Sequence, residues 1–234
     1  MKIITAPIAE IFCSVQGEGL YCGQRQIFLR FAGCNLSCRY CDEPAARHKG
    51  GAVVMSCSSA AARVLALARK RGAAAVSLTG GEPLLNWRFI KVLAPVLTRA
   101  GLAVHLETNG TLCRELAAVK AAVTVIAADI KLPSSTGERA CWARHARFFA
   151  AAPQKTFLKV VLTDQTSLAD VRRAVALTAE IRSDVPFFLQ PATPGPGRAR
   201  PPAKDFIEAA RRCAAARLSR VKVRPQQHPL WGVK

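Results

Sequence analysis

The chain has 234 residues, 50% of them hydrophobic, and carries 34 Lys and Arg against 15 Asp and Glu, a formal net charge of +19. That apolar content suffices for a full core and excludes a disordered chain. No run of about eighteen apolar residues is present and residues 1–5 lack the apolar stretch of a secretory signal, so the expectation is a cytoplasmic enzyme without a membrane partner.

In chain order, stretches rich in Val, Ile and Phe alternate with Ala- and Leu-rich stretches of helical period. Strands are predicted at 26–31, 74–79, 102–107, 123–130, 156–162, 185–190 and 218–223, and helices at 58–71, 86–100, 113–121, 138–151, 167–181 and 203–216. In the first helix Ala60, Val64 and Leu67 recur at i, i+4 and i+7, and Gly72 follows as a stop. Along 102–107, alternation sets Ala103, His105 and Glu107 on one face and Leu102, Val104 and Leu106 on the other. This rhythm, with short connections, predicts an α/β fold in one domain over 1–234, a parallel sheet joined by crossover helices. Residues 1–25 precede the first unit. The Pro/Gly-rich stretch 191–202 is a loop after a strand, the kind of place where α/β proteins build sites.

Nine cysteines without an export signal point to metal or catalysis before disulfides. Cys34, Cys38 and Cys41 follow a strand and Gly33, so one loop can wrap three thiols round a centre. Three thiolates suit an iron–sulfur cluster with one open iron; the competing reading is zinc, with Cys57, His48 or another distant group as fourth ligand. The other cysteines show no paired spacing and read as small buried hydrophobes, with Cys13 beside the N-terminal segment. In Thr79-Gly80-Gly81-Glu82-Pro83 two glycines permit close backbone approach, and Glu82 offers a carboxylate.

Cys-x3-Cys-x2-Cys followed by Gly-Gly-Glu-Pro after the next strand resembles the signature of the radical S-adenosylmethionine (SAM) superfamily. Within it, Gln16-Gly17-Glu18-Gly19, Arg30 before Gly33-Cys34, Glu107-Thr108-Asn109-Gly110, Gln190-Pro191 and Gln226-Gln227-His228-Pro229-Leu230-Trp231-Gly232 are similar to the 7-carboxy-7-deazaguanine synthase family over nearly the whole chain. The resemblance implies a partial (β/α) barrel of about six strand-helix units, open on one side. A complete barrel takes about 250 residues, more than this chain has. It implies a lyase that contracts the ring of 6-carboxy-5,6,7,8-tetrahydropterin to 7-carboxy-7-deazaguanine with loss of ammonia, a step towards queuosine. It further implies a 4Fe-4S cluster on Cys34, Cys38 and Cys41, SAM as the source of a 5′-deoxyadenosyl radical, and magnesium. The implied partners are a reductant such as flavodoxin or ferredoxin and a second copy in a homodimer, with no nucleic acid.

The resemblance also implies site residues. Substrate contacts fall on Val15, Gln16, Gly17, Glu18, Arg30, Thr79, Glu107 and His228, with Glu18, Arg30, Glu107 and His228 as the catalytic set. Such a segment offers amide, carboxylate and backbone groups to a pterin edge, and the Arg30 fork suits the pterin carboxylate. SAM contacts fall on Tyr40, Gly81, Glu82, Thr108, Asp129, Ile130, Lys131 and Gln190, with Glu82 expected at the SAM ammonium. Asp129-Ile130-Lys131 departs from the Ser-Pro-Lys common in the family, and Lys159 reads equally as a wall residue or a ligand contact. Where family members carry a Thr or Ser that helps hold magnesium, this chain has Glu43, either a magnesium ligand or a solvent-facing group. Two rivals are a radical SAM activase, which has no use for the Gln16–Gly19 motif, and a zinc-containing nucleic-acid binder, against which stands an aromatic content of 6%.

Overall fold

In the computed structural model of the chain, which describes residues 3–194 and 199–233, the strands are β1 Thr5–Val15, β2 Arg25–Phe31, β3 Val53–Ser56, β4 Ala75–Gly80, β5 Ala103–Thr108, β6 Val125–Asp129, β7 Thr156–Leu162, β8 Phe187–Pro191 and β9 Val221–Val223. The helices are α1 Cys57–Arg71, α2 Trp87–Arg99, α3 Cys113–Val119, α4 Pro133–Thr136, α5 Trp142–Ala151, α6 Leu168–Ile181 and α7 Lys204–Ala215. All strands share one sheet in the order β3-β1-β2-β4-β5-β6-β7-β8-β9. β2 and β4 to β9 run parallel, while β1 is antiparallel to both β2 and β3. No pairing joins β9 to β3, so the sheet is open and not a closed barrel.

The core lies between one face of the sheet and the helices. Leu78, Val104, Leu106, Leu158 and Val160 from the strands meet Val64, Leu93, Phe148 and Val175 from α1, α2, α5 and α6. These positions carry the apolar half of the strand alternation and one stripe of each helix. Ser56 caps α1 by accepting from Ser59 N at 3.2 Å, and Gly72 ends it at φ +64.

Two differences from the expected elements bear on the site. Residues 5–15 form an eleven-residue strand, β1, although Pro7, Glu10 and Ser14 interrupt its apolar pattern. Its order comes from pairing with β2, register Ile11↔Leu29, a long-range partner that local pattern does not reveal. Helix α5 starts at Trp142, not 138, because Gly137 at φ +74 first terminates the short α4. The middle of the expected 191–202 loop, residues 195–198, lies outside the described residues. All nine cysteines are free, and Cys13, Cys57, Cys113 and Cys213 pack on the core as expected of small apolar groups. No described helix is long and apolar enough to cross a membrane.

Candidate active site

Parallel strands end on the same side, so the loops that follow them converge. Here they surround a cavity of about 480 Å³ whose wall includes the loop after β2, the ends of β4, β5, β6 and β8, and residues 226–229 beyond β9. Residues 15–19, between β1 and β2, supply the remaining side.

The loop after β2 is held by backbone contacts that explain its glycines. Gly33 N donates to Ala46 O at 2.8 Å, and Glu82 N donates to Gly33 O at 2.9 Å. A Cβ on Gly81 would stand 2.3 Å from Gly33 O, and one on Gly80, at φ +135, would stand 2.1 Å from Phe31 O. The Gly-Gly pair is therefore what lets β4 end against the cysteine loop.

Cys34, Cys38 and Cys41 all line the cavity, whereas Cys57 and His48 do not. Burial pushes the Cys34 thiol up and the Cys38 thiol up to about 11, so the ligand-free thiols hold their protons at neutral pH and binding iron would release them. Among the described residues no three Cys, His, Asp or Glu groups are gathered as a single-ion site.

Glu82 lies behind this wall. It is fully buried, its Oε1 accepting from Leu84 N at 3.0 Å and Thr108 Oγ1 at 2.8 Å, its Oε2 from Asn109 N at 2.8 Å. Burial, opposed by these bonds, raises its pKa to about 7. Thr108 and Asn109 line the cavity and Glu82 lies behind them, its carboxylate holding the loop after β5. Ile130 likewise turns into the core, between Asp129 and Lys131 on the wall.

Lys131 Nζ donates to Asp129 Oδ2 at 2.8 Å and to Tyr40 Oη at 3.2 Å, and lies 5.1 Å from the Tyr40 ring centre. The Lys131 backbone N–H donates to Nε2 of buried His145 at 3.2 Å. Asp129 Oδ1 is buried without a hydrogen-bond partner. An orphaned carboxylate oxygen beside the three thiols suits a hydroxyl-bearing ligand such as a ribose, so the residues present fit both the cluster and SAM.

Next to Asp129, whose Oδ2 lies 3.8 Å from Lys159 Nζ, stands the Glu18 carboxylate, to which Lys159 Nζ, Gln190 Nε2 at 3.1 Å and Gln226 Nε2 at 2.6 Å all donate. Burial opposes its charge, but Lys159 and these bonds prevail and hold its pKa at about 2. Gln16 Nε2 donates to Glu107 Oε1 at 2.7 Å, and Ser77 Oγ donates to the same oxygen at 2.5 Å. Arg30 pairs through Nε with Glu10 at 2.8 Å and through Nη2 with Glu43 at 3.2 Å. Val15, Thr79 and His228 complete this wall. A Cβ on Gly17 would stand 2.5 Å from His228 Nδ1, so the glycine seats the imidazole.

Sequence reading passed over Gln226, Asp42, Asn109 and Thr193, all on the cavity wall. Gln226 Nε2 also donates to Asp42 Oδ2 at 2.8 Å, and its Oε1 accepts from Thr193 Oγ1, so it joins three loops. The signal was present, since Gln226 stands two residues before His228 in the same motif.

Comparison with known proteins agrees with this geometry. Residues 29–163 match the Radical SAM superfamily. A 7-carboxy-7-deazaguanine synthase from Geobacter sulfurreducens is 36% identical over 97% of both chains. One from Methanopyrus kandleri is 34% identical over 80% of this chain and 81% of its own. The crystal structure of QueE from Escherichia coli superposes with a TM-score of 0.61 at 20% identity, covering 94% of each chain, which supports the fold. With three thiols, the Gly80-Gly81 pair and the Gln16–Glu18 segment on one cavity, and a relative 36% identical over 97% of both chains, the chain belongs to the 7-carboxy-7-deazaguanine synthase family of the radical SAM superfamily.

Proposed function

We propose that this chain carries out its family's reaction, conversion of 6-carboxy-5,6,7,8-tetrahydropterin to 7-carboxy-7-deazaguanine with loss of ammonia, within one domain whose residues 1–25 bind substrate. The observation that carries the reading is the shared cavity. Cysteines for a cluster stand on one wall, and Gln16, Glu18, Glu107 and Arg30, fit for a carboxylated pterin, on another. When bound, the cluster and SAM supply an electron and a 5′-deoxyadenosyl radical.

The chain's own groups do the rest. Ionised Glu18, clamped by Lys159, accepts from the N–H edge of the pterin, and Gln16, its amide oriented by Glu107, fixes the Glu18 backbone by accepting from its N–H through Oε1 at 3.1 Å. Glu107 uses Oε1 for Gln16 and Ser77, leaving Oε2 for a substrate N–H. Arg30 takes the substrate carboxylate. His228, the imidazole on the wall among the described residues, carries the proton to the departing amine. Cys34, Cys38 and Cys41 hold the cluster. Tyr40, Gly81, Thr108, Asp129, Lys131 and Gln190 hold SAM, with Glu82 and Ile130 behind them.

Glu43 is the magnesium ligand in this reading. In the ligand-free chain it pairs with Arg30, so an arriving substrate carboxylate that takes Arg30 frees Glu43 for the ion. Turnover should then respond to magnesium in the wild type and lose affinity for it in Glu43→Ala; indifference of both proteins to magnesium would sink the assignment. The same reading makes the donor a flavodoxin or ferredoxin, the active form a cytoplasmic homodimer, and nucleic acid and membrane no part of it.

The deciding experiment is anaerobic incubation of the iron- and sulfide-reconstituted protein with the tetrahydropterin, SAM and dithionite. Mass spectrometry should find 7-carboxy-7-deazaguanine. Formation of 5′-deoxyadenosine without that product would overturn the reading.

A further inference from the structure

A second cleft, of about 560 Å³, opens on the outer side of the cysteine loop. Asn35 and Leu36 of that loop form one wall, and residues between 138 and 147, leading into and along α5, form the other. Arg139, Arg144 and Arg147 line it and are exposed. Arg144 and Arg147 are three apart on α5, so they leave the same face. The acidic group on the wall, Glu138, accepts from Ser37 N at 2.5 Å and is engaged in holding the cysteine loop. Ala140 and Ala143, small and exposed, let a partner approach closely. Leu36 lines both this cleft and the cavity that contains Cys34, Cys38 and Cys41, so the cleft adjoins the cysteine loop from outside.

We propose that the Arg139, Arg144 and Arg147 cleft is the docking surface for an acidic one-electron carrier protein, which delivers its electron to the cluster across the cysteine loop. The proposal rests on the radical SAM reading above, which requires an electron from outside. In the transfer the carrier is oxidised by one equivalent and the cluster is reduced by one; no bond forms or breaks and no other reactant enters. Three arginines round a cleft steer an anionic protein and suit an interface, since guanidinium groups desolvate more readily than ammonium groups. An RNA partner would share the charge, but the cleft offers no aromatic side chain for stacking.

The test uses the reconstituted holoenzyme and a purified acidic flavodoxin, with two readouts: the dissociation constant at low and high salt, and the stopped-flow rate of cluster reduction by the fully reduced flavodoxin. The cleft variant is Arg139→Glu/Arg144→Glu/Arg147→Glu. A control with the same change in net charge is Arg212→Glu/Arg217→Glu/Arg220→Glu, on α7 and the turn after it. The cleft variant should lose about tenfold or more in affinity and reduction rate at low salt, a difference that shrinks as salt rises, and the control about twofold or less. Ala143→Trp, which fills the cleft without changing charge, should weaken binding too, and covers the case in which the triple variant fails to fold. Dithionite-driven turnover should be unchanged in all three. Equal losses in the cleft variant and the control, no loss in the cleft variant, or loss of tRNA binding with flavodoxin binding intact would each overturn the proposal. Absence of dithionite-driven turnover in the wild type would instead sink the enzymatic reading, leaving the binding constants to judge the cleft.

Discussion

Glu18 shows how one residue's charge state is set by its neighbours. A carboxylate in the cavity is penalised by desolvation, and here an ammonium and two amide donors outweigh that penalty. Removing Lys159 leaves the desolvation and takes away its compensation. Lys159→Met is therefore expected to lower stability by about 2 kcal/mol, less than the roughly 3–5 kcal/mol of fully buried pairs because both side chains keep some exposure. Urea titration measures this, and the double variant with Glu18→Gln should recover part of the loss. Unchanged midpoints, or no recovery in the double variant, would refute the compensation. Lys159 lines the cavity and pairs with Glu18, the arrangement that a wall residue requires.

At the level of elements, strand-helix rhythm was legible because each unit buries one apolar face, and β7 lies at 156–162 as the alternation predicts. β1 was not legible, since Glu10 and Ser14 break its apolar pattern and its order comes from β2. The site was legible where chemistry is concentrated in a motif, as at Cys34–Cys41 and Gln16–Glu18. It was illegible where a residue acts by tying loops together, as Gln226 does, or by reaching the cavity through others, as Glu82 does. One such tie is Gly17, whose carbonyl accepts from Gln227 N at 2.9 Å while its bare Cα faces His228. In Gly17→Ala the added methyl would meet the His228 backbone N at 2.7 Å, and backbone cannot swing aside as a side chain can. We expect kcat/KM to fall by about tenfold or more through displacement of His228, with thermal stability nearly unchanged because residues 225–233 contribute nothing to the main core. Steady-state kinetics beside a melting curve separates the two; a large drop in Tm would show that the contact is structural.

For the molecule as a whole, buried titratable groups set the response to acid. His105 and His145 are pushed down by burial to about 4, so their stabilising contribution is complete above the ordinary value of 6.5 and is lost as pH falls through 4. Glu82 has the opposite sign: its contribution is complete below 4.5 and is lost as pH rises through about 7. Two imidazoles against one carboxyl leave a net loss on acidification, and Glu18 adds to it as pH falls from 4.5 through about 2. The denaturation midpoint of the ligand-free protein should therefore fall between pH 6.5 and 4. A midpoint that is flat or rises over that interval would contradict the assignment of both histidines as buried and neutral.

Gln226 and Glu18, joined in the cavity, stand 208 positions apart, and Arg224 reaches Gly19 O across 205. Contacts of that span close loops that take in most of the sheet, and closing loops of that length carries a large entropic cost. That wall of the cavity is built by residues far apart in sequence, whereas Cys34, Cys38 and Cys41 lie within one short loop. Order in that wall is thereby coupled to order in the whole intervening sheet, so that loosening the sheet would open the cavity while leaving the three cysteines neighbours in one loop.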